Sequence, residues 1–420
     1  MDKIVIDGGQ PLAGSVKVGG SKNAALPMLA ATLLTADPCE IKNVPNLRDI
    51  DSTFHLLSHL GVKVEFDAIK NEFRTDARDI LELEAPYDLV RKMRASVLVL
   101  GPLLARFGEV KVSLPGGCAI GARPIDFHLD GMRKLGAEIE LESGYILAKA
   151  KKLHGAHIVL DFPSVGATEN LMMAACLIPE KTVIENAAKE PEIVALGEML
   201  VAMGASLVGV GTEKVTIEGR KTLSGATVSV MGDRIEAGTF MAAAFMTRGS
   251  VVVSGVDSGS MDAVLEKLLD SGAKIEILDS SSIRVTGSHR PKSVNLTTQP
   301  FPGFPTDMQA QFMAIMAIGD GTSTITESIF ENRFMHVPEL IRMGADIQIS
   351  GKTAIIKGVT SLKGAPVMAT DLRASAGLIL GGLVAEGETV VSRVYHLDRG
   401  YEQIESKLAN LGAKIRRVNS

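Results

Sequence analysis

Lys267-Leu268-Leu269-Asp270-Ser271-Gly272-Ala273-Lys274-Ile275-Glu276-Ile277 joins the end of an amphipathic helix, one glycine and the start of an alternating strand. The helix begins upstream at Met261-Asp262-Ala263-Val264-Leu265-Glu266, and its charged face marks it as an outer element. Gly272 stands where a helix end commonly turns through the left-handed region, which glycine enters without a Cβ clash. Five more copies of this junction follow the same pattern: Leu60-Gly61-Val62, Leu135-Gly136-Ala137, Met203-Gly204-Ala205, Met343-Gly344-Ala345 and Leu411-Gly412-Ala413. Successive glycines lie 75, 68, 68, 72 and 68 residues apart, each interval close to one sixth of the 420-residue chain. The chain therefore reads as six repeats.

Each repeat also contains a second helix, rich in small apolar residues, over Ala24–Leu34, Ala95–Leu104, Ala167–Leu177, Ala237–Met246, Met308–Ile318 and Ala374–Val384. Helices apolar on nearly every face belong in a domain centre. A turn and a strand follow them, as in Gly249-Ser250-Val251-Val252-Val253 and Gly387-Glu388-Thr389-Val390-Val391. One repeat is thus strand, buried helix, strand, outer helix, strand pair: an α/β fold. Modules of about 70 residues exceed the 20–45 of a thin solenoid, so two domains of three repeats are expected, dividing near Asp233. The N-terminal strand, read over Lys3–Val18, fits either domain.

Composition excludes several classes. A chain that is 46% hydrophobic and 22% charged is not disordered, and its 42 glycines follow no three-residue period. A net charge of −5 argues against nucleic acid as a partner. No apolar run approaches the ~18 residues that span a bilayer, so no membrane partner is expected. The start, Met1-Asp2-Lys3 leading into Ile4-Val5-Ile6, shows no signal peptide. Cys39, Cys118 and Cys176 are odd in number and unpaired in sequence, which points to a reducing cytoplasm.

Loops flanking the buried helices recurrently carry charge: Ser21-Lys22-Asn23, Arg94, Arg123, Asp233-Arg234, Asp307, Arg333, Arg373 and Arg399. Scattered surface arginines are the plainer reading, but recurrence at equivalent places favours converging guanidiniums near helix N-termini and a ligand with phosphate and carboxylate groups. Pro115-Gly116-Gly117-Cys118-Ala119-Ile120-Gly121-Ala122-Arg123-Pro124 holds the one cysteine in a polar loop, next to a cation that favours thiolate. There Cys118 reads as a nucleophile or proton donor on a lid, whereas Cys176 and Cys39 read as small buried residues. Asp307, just ahead of an apolar helix, is either an N-cap or a general base. Gly19-Gly20-Ser21-Lys22 lacks the spacing of a nucleotide-triphosphate loop. The eight histidines form no metal pattern. His154 and His157 read as surface residues; His128, His336 and His396 are either proton-transfer groups or hydrogen-bonded core residues.

Five stretches carry a family resemblance: Gly20-Ser21-Lys22-Asn23-Ala24-Ala25-Leu26-Pro27, Pro115 to Pro124, Phe304-Pro305-Thr306-Asp307-Met308-Gln309-Ala310-Gln311, Phe330-Glu331-Asn332-Arg333-Phe334 and Ala369-Thr370-Asp371-Leu372-Arg373-Ala374-Ser375. Along its full length the chain resembles the UDP-N-acetylglucosamine 1-carboxyvinyltransferases of the EPSP synthase superfamily. The resemblance implies two inside-out α/β barrels of three βαβαββ units each. Domain 1 would be residues 22–231, domain 2 residues 1–21 plus 232–420, and the active site would lie in the cleft between them. It implies transfer of enolpyruvate from phosphoenolpyruvate to the 3′-hydroxyl of UDP-N-acetylglucosamine by addition and elimination, with no metal or organic cofactor. The implied setting is bacterial peptidoglycan synthesis in the cytoplasm, with sensitivity to epoxide phosphonates of the fosfomycin type.

By the same resemblance Cys118 is the proton donor and Asp307 takes the hydroxyl proton. Lys22, Arg123 and Arg399 clamp phosphoenolpyruvate, helped by Asn23, Arg333 and Arg373. The UDP-sugar is contacted by Asn23, Arg94, Arg123, Pro124, Ile125, Asp126, Phe127, Phe162, Pro163, Ser164, Val165, Asp307 and Ile329. Ile329 stands where the family has Val, and Arg48 where it often has Lys; neither change removes size or charge that matters. Three alternatives have sequence tests. The sister transferase of the shikimate pathway typically lacks the Cys loop and carries Gly-Ser-Lys-Ser. A six-repeat sliding clamp would show a basic excess, and an RNA-end cyclase would need a nucleotide-linking His.

Overall fold

The computed structural model describes residues 2–419 apart from 92, 115–124 and 331. The chain separates into two compact units. One holds the chain up to Gly19 and from Gly232 onward; the other holds the described residues from Gly20 to Met231.

The repeat junctions govern both units. Gly61, Gly136, Gly204, Gly272, Gly344 and Gly412 have φ between 92° and 104°, so all six outer helices end by turning through the left-handed region. After each turn the chain forms an antiparallel strand pair, as in Lys274–Asp279 with Ser282–Thr286. Outer helices such as Asp262–Asp270 bury a single face, here Val264, Leu265 and Leu268, whereas Pro191–Ala202 is buried over most of its surface.

In the unit spanning Gly20 to Met231 there are three four-stranded sheets. Their strand orders are Thr227–Ser229, Cys39–Lys42, Glu72–Asp76, Lys63–Asp67; Glu84–Ala85, Glu109–Ser113, Tyr145–Lys149, Glu138–Glu142; and His157–Val159, Lys181–Glu185, Lys214–Glu218, Ser206–Val208. The other unit repeats the plan with Ala13–Lys17, Ser250–Ser254, Ser282–Thr286, Lys274–Asp279; Leu296–Thr297, Thr322–Thr326, Thr353–Lys357, Asp346–Ser350; and Pro366–Met368, Glu388–Ser392, Lys3–Asp7, Lys414–Val418. In every sheet the first pair is parallel and the rest antiparallel. Each unit is an inside-out α/β barrel, with its apolar helices at the centre.

Two features of the topology depart from the periodic pattern. The expected strand Lys3–Val18 is two strands, broken at Gly8 and Gly9. Lys3–Asp7 pairs antiparallel with both Glu388–Ser392 and Lys414–Val418, taking the place of the sixth repeat's last strand. Ala13–Lys17 precedes the first buried helix yet pairs with Ser250–Ser254 of the fourth repeat, while Thr227–Ser229 precedes the fourth buried helix yet pairs with Cys39–Lys42 of the first. The first and fourth repeats have exchanged their leading strands.

The buried helices are Lys22–Ala31, Leu100–Phe107, Val165–Ala175, Arg234–Met246, Gln309–Ala317 and Leu372–Val384. Small residues let their backbones approach. A Cβ at Gly101 would lie 2.4 Å from the Asn170 carbonyl oxygen, and one at Gly377 would lie 2.7 Å from that of Ala310. Four of the six begin at a side-chain cap: Ser21, Ser164, Asp233 and Asp371 each accept backbone N–H bonds from the first turn. The other two are entered through uncapped 3-10 segments, Arg94–Val99 and Thr306–Met308, one in each unit. No helix among the described residues is long and apolar enough to cross a membrane.

Candidate active site

In the unit holding the C-terminal half, the uncapped start Thr306–Met308 places Asp307 at the hub of a charge cluster. Asp307 does not cap the helix it precedes. Its Oδ1 accepts from Arg333 Nη2 at 2.6 Å and its Oδ2 from Arg373 Nε at 3.1 Å. Neither arginine is a solvated surface residue: Arg333 is 5% exposed and Arg373 3%. Asp307 keeps 24% of its side chain open to solvent, so the carboxylate is held from two sides and reachable from a third.

The cluster is held in place by buried polar groups. The Arg373 guanidinium carbon lies 5.4 Å from the centre of the Tyr401 ring. The Tyr401 hydroxyl is within 2.9 Å of Thr239 Oγ1 and accepts from Gln311 Nε2 at 3.2 Å. Burial works against the charge on Arg373, but Asp307, Tyr401 and Asp233 more than compensate and raise its pKa. Its Nη1 and Nη2 are buried without a well-formed hydrogen bond to the described residues, Tyr401 being the polar group beside them. Arg333 Nη1 donates to Thr306 Oγ1 at 2.9 Å, and Ile329 sits half-buried on the loop just before it. Arg399 ends the 3-10 segment Val394–Arg399, half-buried. Burial and the Arg399 charge lower the pKa of His396 nearby.

In the other unit, Lys22 opens the first buried helix behind its Ser21 cap, and Asn23 follows, half-buried. Lys22 Nζ donates to Asp49 Oδ2 at 3.1 Å, both side chains being nearly inaccessible. Arg94 opens the uncapped 3-10 segment. His128 Nδ1 lies 3.0 Å from Asn170 Nδ2, which also donates to the Val97 carbonyl; burial and then the Arg94 charge bring the His128 pKa down to about 4. His128 is thus a neutral, hydrogen-bonded core group. Phe162, Pro163, Ser164 and Val165 run from an exposed phenylalanine into the capped start of the third buried helix. Ile125, Asp126 and Phe127 lead into the outer helix Asp126–Lys134. Cys118, Arg123 and Pro124 lie outside the described residues.

Cys39 and Cys176 are buried, and burial raises the pKa of both thiols. His154 and His157 are exposed. Among the described residues, no group of three or more His, Cys, Asp or Glu is placed to hold a metal ion. Sequence reasoning missed Asp49, Tyr401, Thr239, Gln311, and Glu327, a carboxylate only 1% exposed. Their residue types carry no local signature; only their partners mark them.

Comparison with known proteins decides the family. A match to the family described as EPSP synthase (3-phosphoshikimate 1-carboxyvinyltransferase) runs over residues 6–408. The chain belongs to this family. Within it, the chain is 57% identical over 418 residues to a UDP-N-acetylglucosamine 1-carboxyvinyltransferase from Geobacter metallireducens and 56% identical to one from Desulfosudis oleivorans. Each alignment covers 100% of both chains. Among solved structures, the enolpyruvyl transferase NikO from Streptomyces tendae superposes with a TM-score of 0.90 at 23% identity, covering 100% of this chain and 99% of that one. An EPSP synthase from Acinetobacter baumannii gives 0.77 at 19% identity, covering 100% of both. At those identities the structural likeness speaks for the fold.

Proposed function

We propose that this chain transfers the enolpyruvyl group of phosphoenolpyruvate to the 3′-hydroxyl of UDP-N-acetylglucosamine, releasing phosphate, in bacterial peptidoglycan synthesis in the cytoplasm. The full-length identity of 57% to a transferase of that name carries the reading, and the cationic cluster around Asp307 supports it. Protonation of the phosphoenolpyruvate methylene by Cys118 makes the neighbouring carbon electrophilic. The sugar hydroxyl oxygen bonds to that carbon as Asp307 takes its proton. The resulting tetrahedral ketal then loses a methyl proton and phosphate to give the enolpyruvyl ether.

The reading divides the work between two domains. Residues 22–231 supply Lys22, Asn23, Arg94, Cys118, Arg123 and the UDP-sugar contacts from Pro124 to Phe127 and Phe162 to Val165. Residues 1–21 with 232–420 supply Asp307, Ile329, Arg333, Arg373 and Arg399. Both substrates are anions, so fixed guanidiniums and Lys22 offset charge that water would otherwise screen, and loss of one such donor costs about 100-fold or more. Because Arg373 and Arg333 are already oriented by Tyr401 and Thr306, little reorganisation is needed when an anion arrives.

The test is phosphate release from purified protein. Release is expected with phosphoenolpyruvate and UDP-N-acetylglucosamine together, and not with either alone. Release with shikimate 3-phosphate instead would overturn the assignment in favour of the sister activity.

A further inference from the structure

Glu327 occupies the position that immediately follows the strand after a buried helix. The same position in two other repeats is filled by Asn43 and Asn186, after Cys39–Lys42 and Lys181–Glu185. In both, the side-chain amide donates to a carbonyl at the end of the repeat's leading strand: Asn43 Nδ2 to Val230 at 2.9 Å, Asn186 Nδ2 to Leu160 at 2.8 Å. Glu327 makes the corresponding link with polarity reversed, Oε1 accepting from Thr298 Oγ1 at 2.7 Å beside the leading strand Leu296–Thr297. It then does more than either asparagine. Oε1 also accepts from the backbone N–H groups of Ile329 and Phe330, at 2.9 and 3.1 Å, and Oε2 accepts from Thr306 Oγ1 at 2.8 Å.

Thr306 Oγ1 is itself the acceptor for Arg333 Nη1. Arginine only donates, so the single Thr306 proton is left for Glu327 and the direction of this chain is fixed. Four donors from three separate segments meet on one carboxylate. They tie the Ile329 loop to the arginine that holds Asp307.

We infer that Glu327 is a positioning residue for the transfer reaction, setting the Ile329 loop through Oε1 and the Arg333–Asp307 pair through Thr306 on Oε2. This rests on the proposed function, in which Ile329 contacts the UDP-sugar and Asp307 takes the hydroxyl proton. Glutamine has the same shape but only one acceptor oxygen. Turned to satisfy Thr298 and the two backbone amides, it presents an N–H to a Thr306 that already receives Arg333, and the Thr306 proton loses its acceptor.

The experiment is steady-state phosphate release by the full chain, unaltered and as Glu327→Gln and Thr306→Val, with melting temperatures recorded alongside. For Glu327→Gln, KM for UDP-N-acetylglucosamine should rise and kcat fall, each about tenfold. Thr306→Val leaves the Oε1 bonds in place, so kcat should fall while the sugar KM rises less than in Glu327→Gln. A Glu327→Gln protein with a lowered melting temperature but unaltered KM and kcat would show a merely structural staple and overturn the inference. If that variant does not fold, an unaltered kcat in Thr306→Val overturns it and the expected fall supports it. Absence of phosphate release from the unaltered protein would instead sink the functional reading, and this inference with it.

Discussion

The middle repeat of each unit differs from its neighbours at the start of its buried helix. Ser21, Ser164, Asp233 and Asp371 each turn a side chain back onto the first-turn amides. Arg94 and Asp307 stand in uncapped 3-10 segments, and the side chains there face other work. A capping carboxylate is occupied by its own helix, as Asp233 is by Ile235 and Glu236. Asp307 gives up that role and bridges two guanidiniums instead. Capped starts thus hold their polar side chain on their own helix, while the uncapped start at Asp307 frees a carboxylate for long-range partners, and the tight 3-10 turn is the form an uncapped start takes here.

The sharpest way to break this contrast is to remove the carboxylate at an uncapped start. Asp307→Asn should lower kcat for phosphate release by roughly 100- to 10,000-fold, the range for loss of a general base. A smaller loss would return Asp307 to a structural role.

The next effect belongs to the other uncapped start. The folded-state pKa of His128, about 4, lies below its ordinary 6.5, with burial the main cause and Arg94 the second. The unfolded chain therefore binds a proton that the native state refuses, and stability falls as pH drops from about 6.5 towards about 4. For this one histidine the full loss is about 3 kcal/mol. Urea unfolding at pH 7 and pH 4.5 should show a shallower loss in His128→Gln than in the unaltered protein. Equal losses would remove the coupling.

The smallest effect is expected at Asp233, which caps its helix and whose charge acts on Arg373 after those of Asp307 and Tyr401. Asp233→Ala should cost about 0.5–2 kcal/mol in urea unfolding, and Asp233→Asn, an equally good cap, only a few tenths of that scale or less. If Asn is as damaging as Ala, the charge that Asp233 presents to Arg373 outweighs its cap.

Much of the architecture was legible along the chain. The helix–glycine–strand junctions are local, and each of the six glycines has the left-handed backbone that its position called for. The buried helices announced themselves through small apolar residues on every face, although their boundaries shifted where 3-10 turns open them. Cations at the helix starts were legible too, because Arg and Lys beside Gly and Asp recur at equivalent places. Their partners were not. Nothing near Lys22 in sequence names Asp49, and nothing near Asp307 chooses its two arginines over a helix cap.

What the sequence determined by itself, then, was the repeat, its glycine turns, its buried helices and the charges available to the site. Those follow from backbone sterics and hydrophobic periodicity, which act over a few residues. Tertiary structure decided the exchange of leading strands between the first and fourth repeats, the insertion of Lys3–Asp7 into the last sheet, and the burial of Glu327. Each depends on groups far apart in the chain: Ala13–Lys17 finds its partner more than 200 residues on, and Glu327 is buried only because Thr298, Thr306, Ile329 and Phe330 bring it four donors. A glutamate without those donors would stay in water.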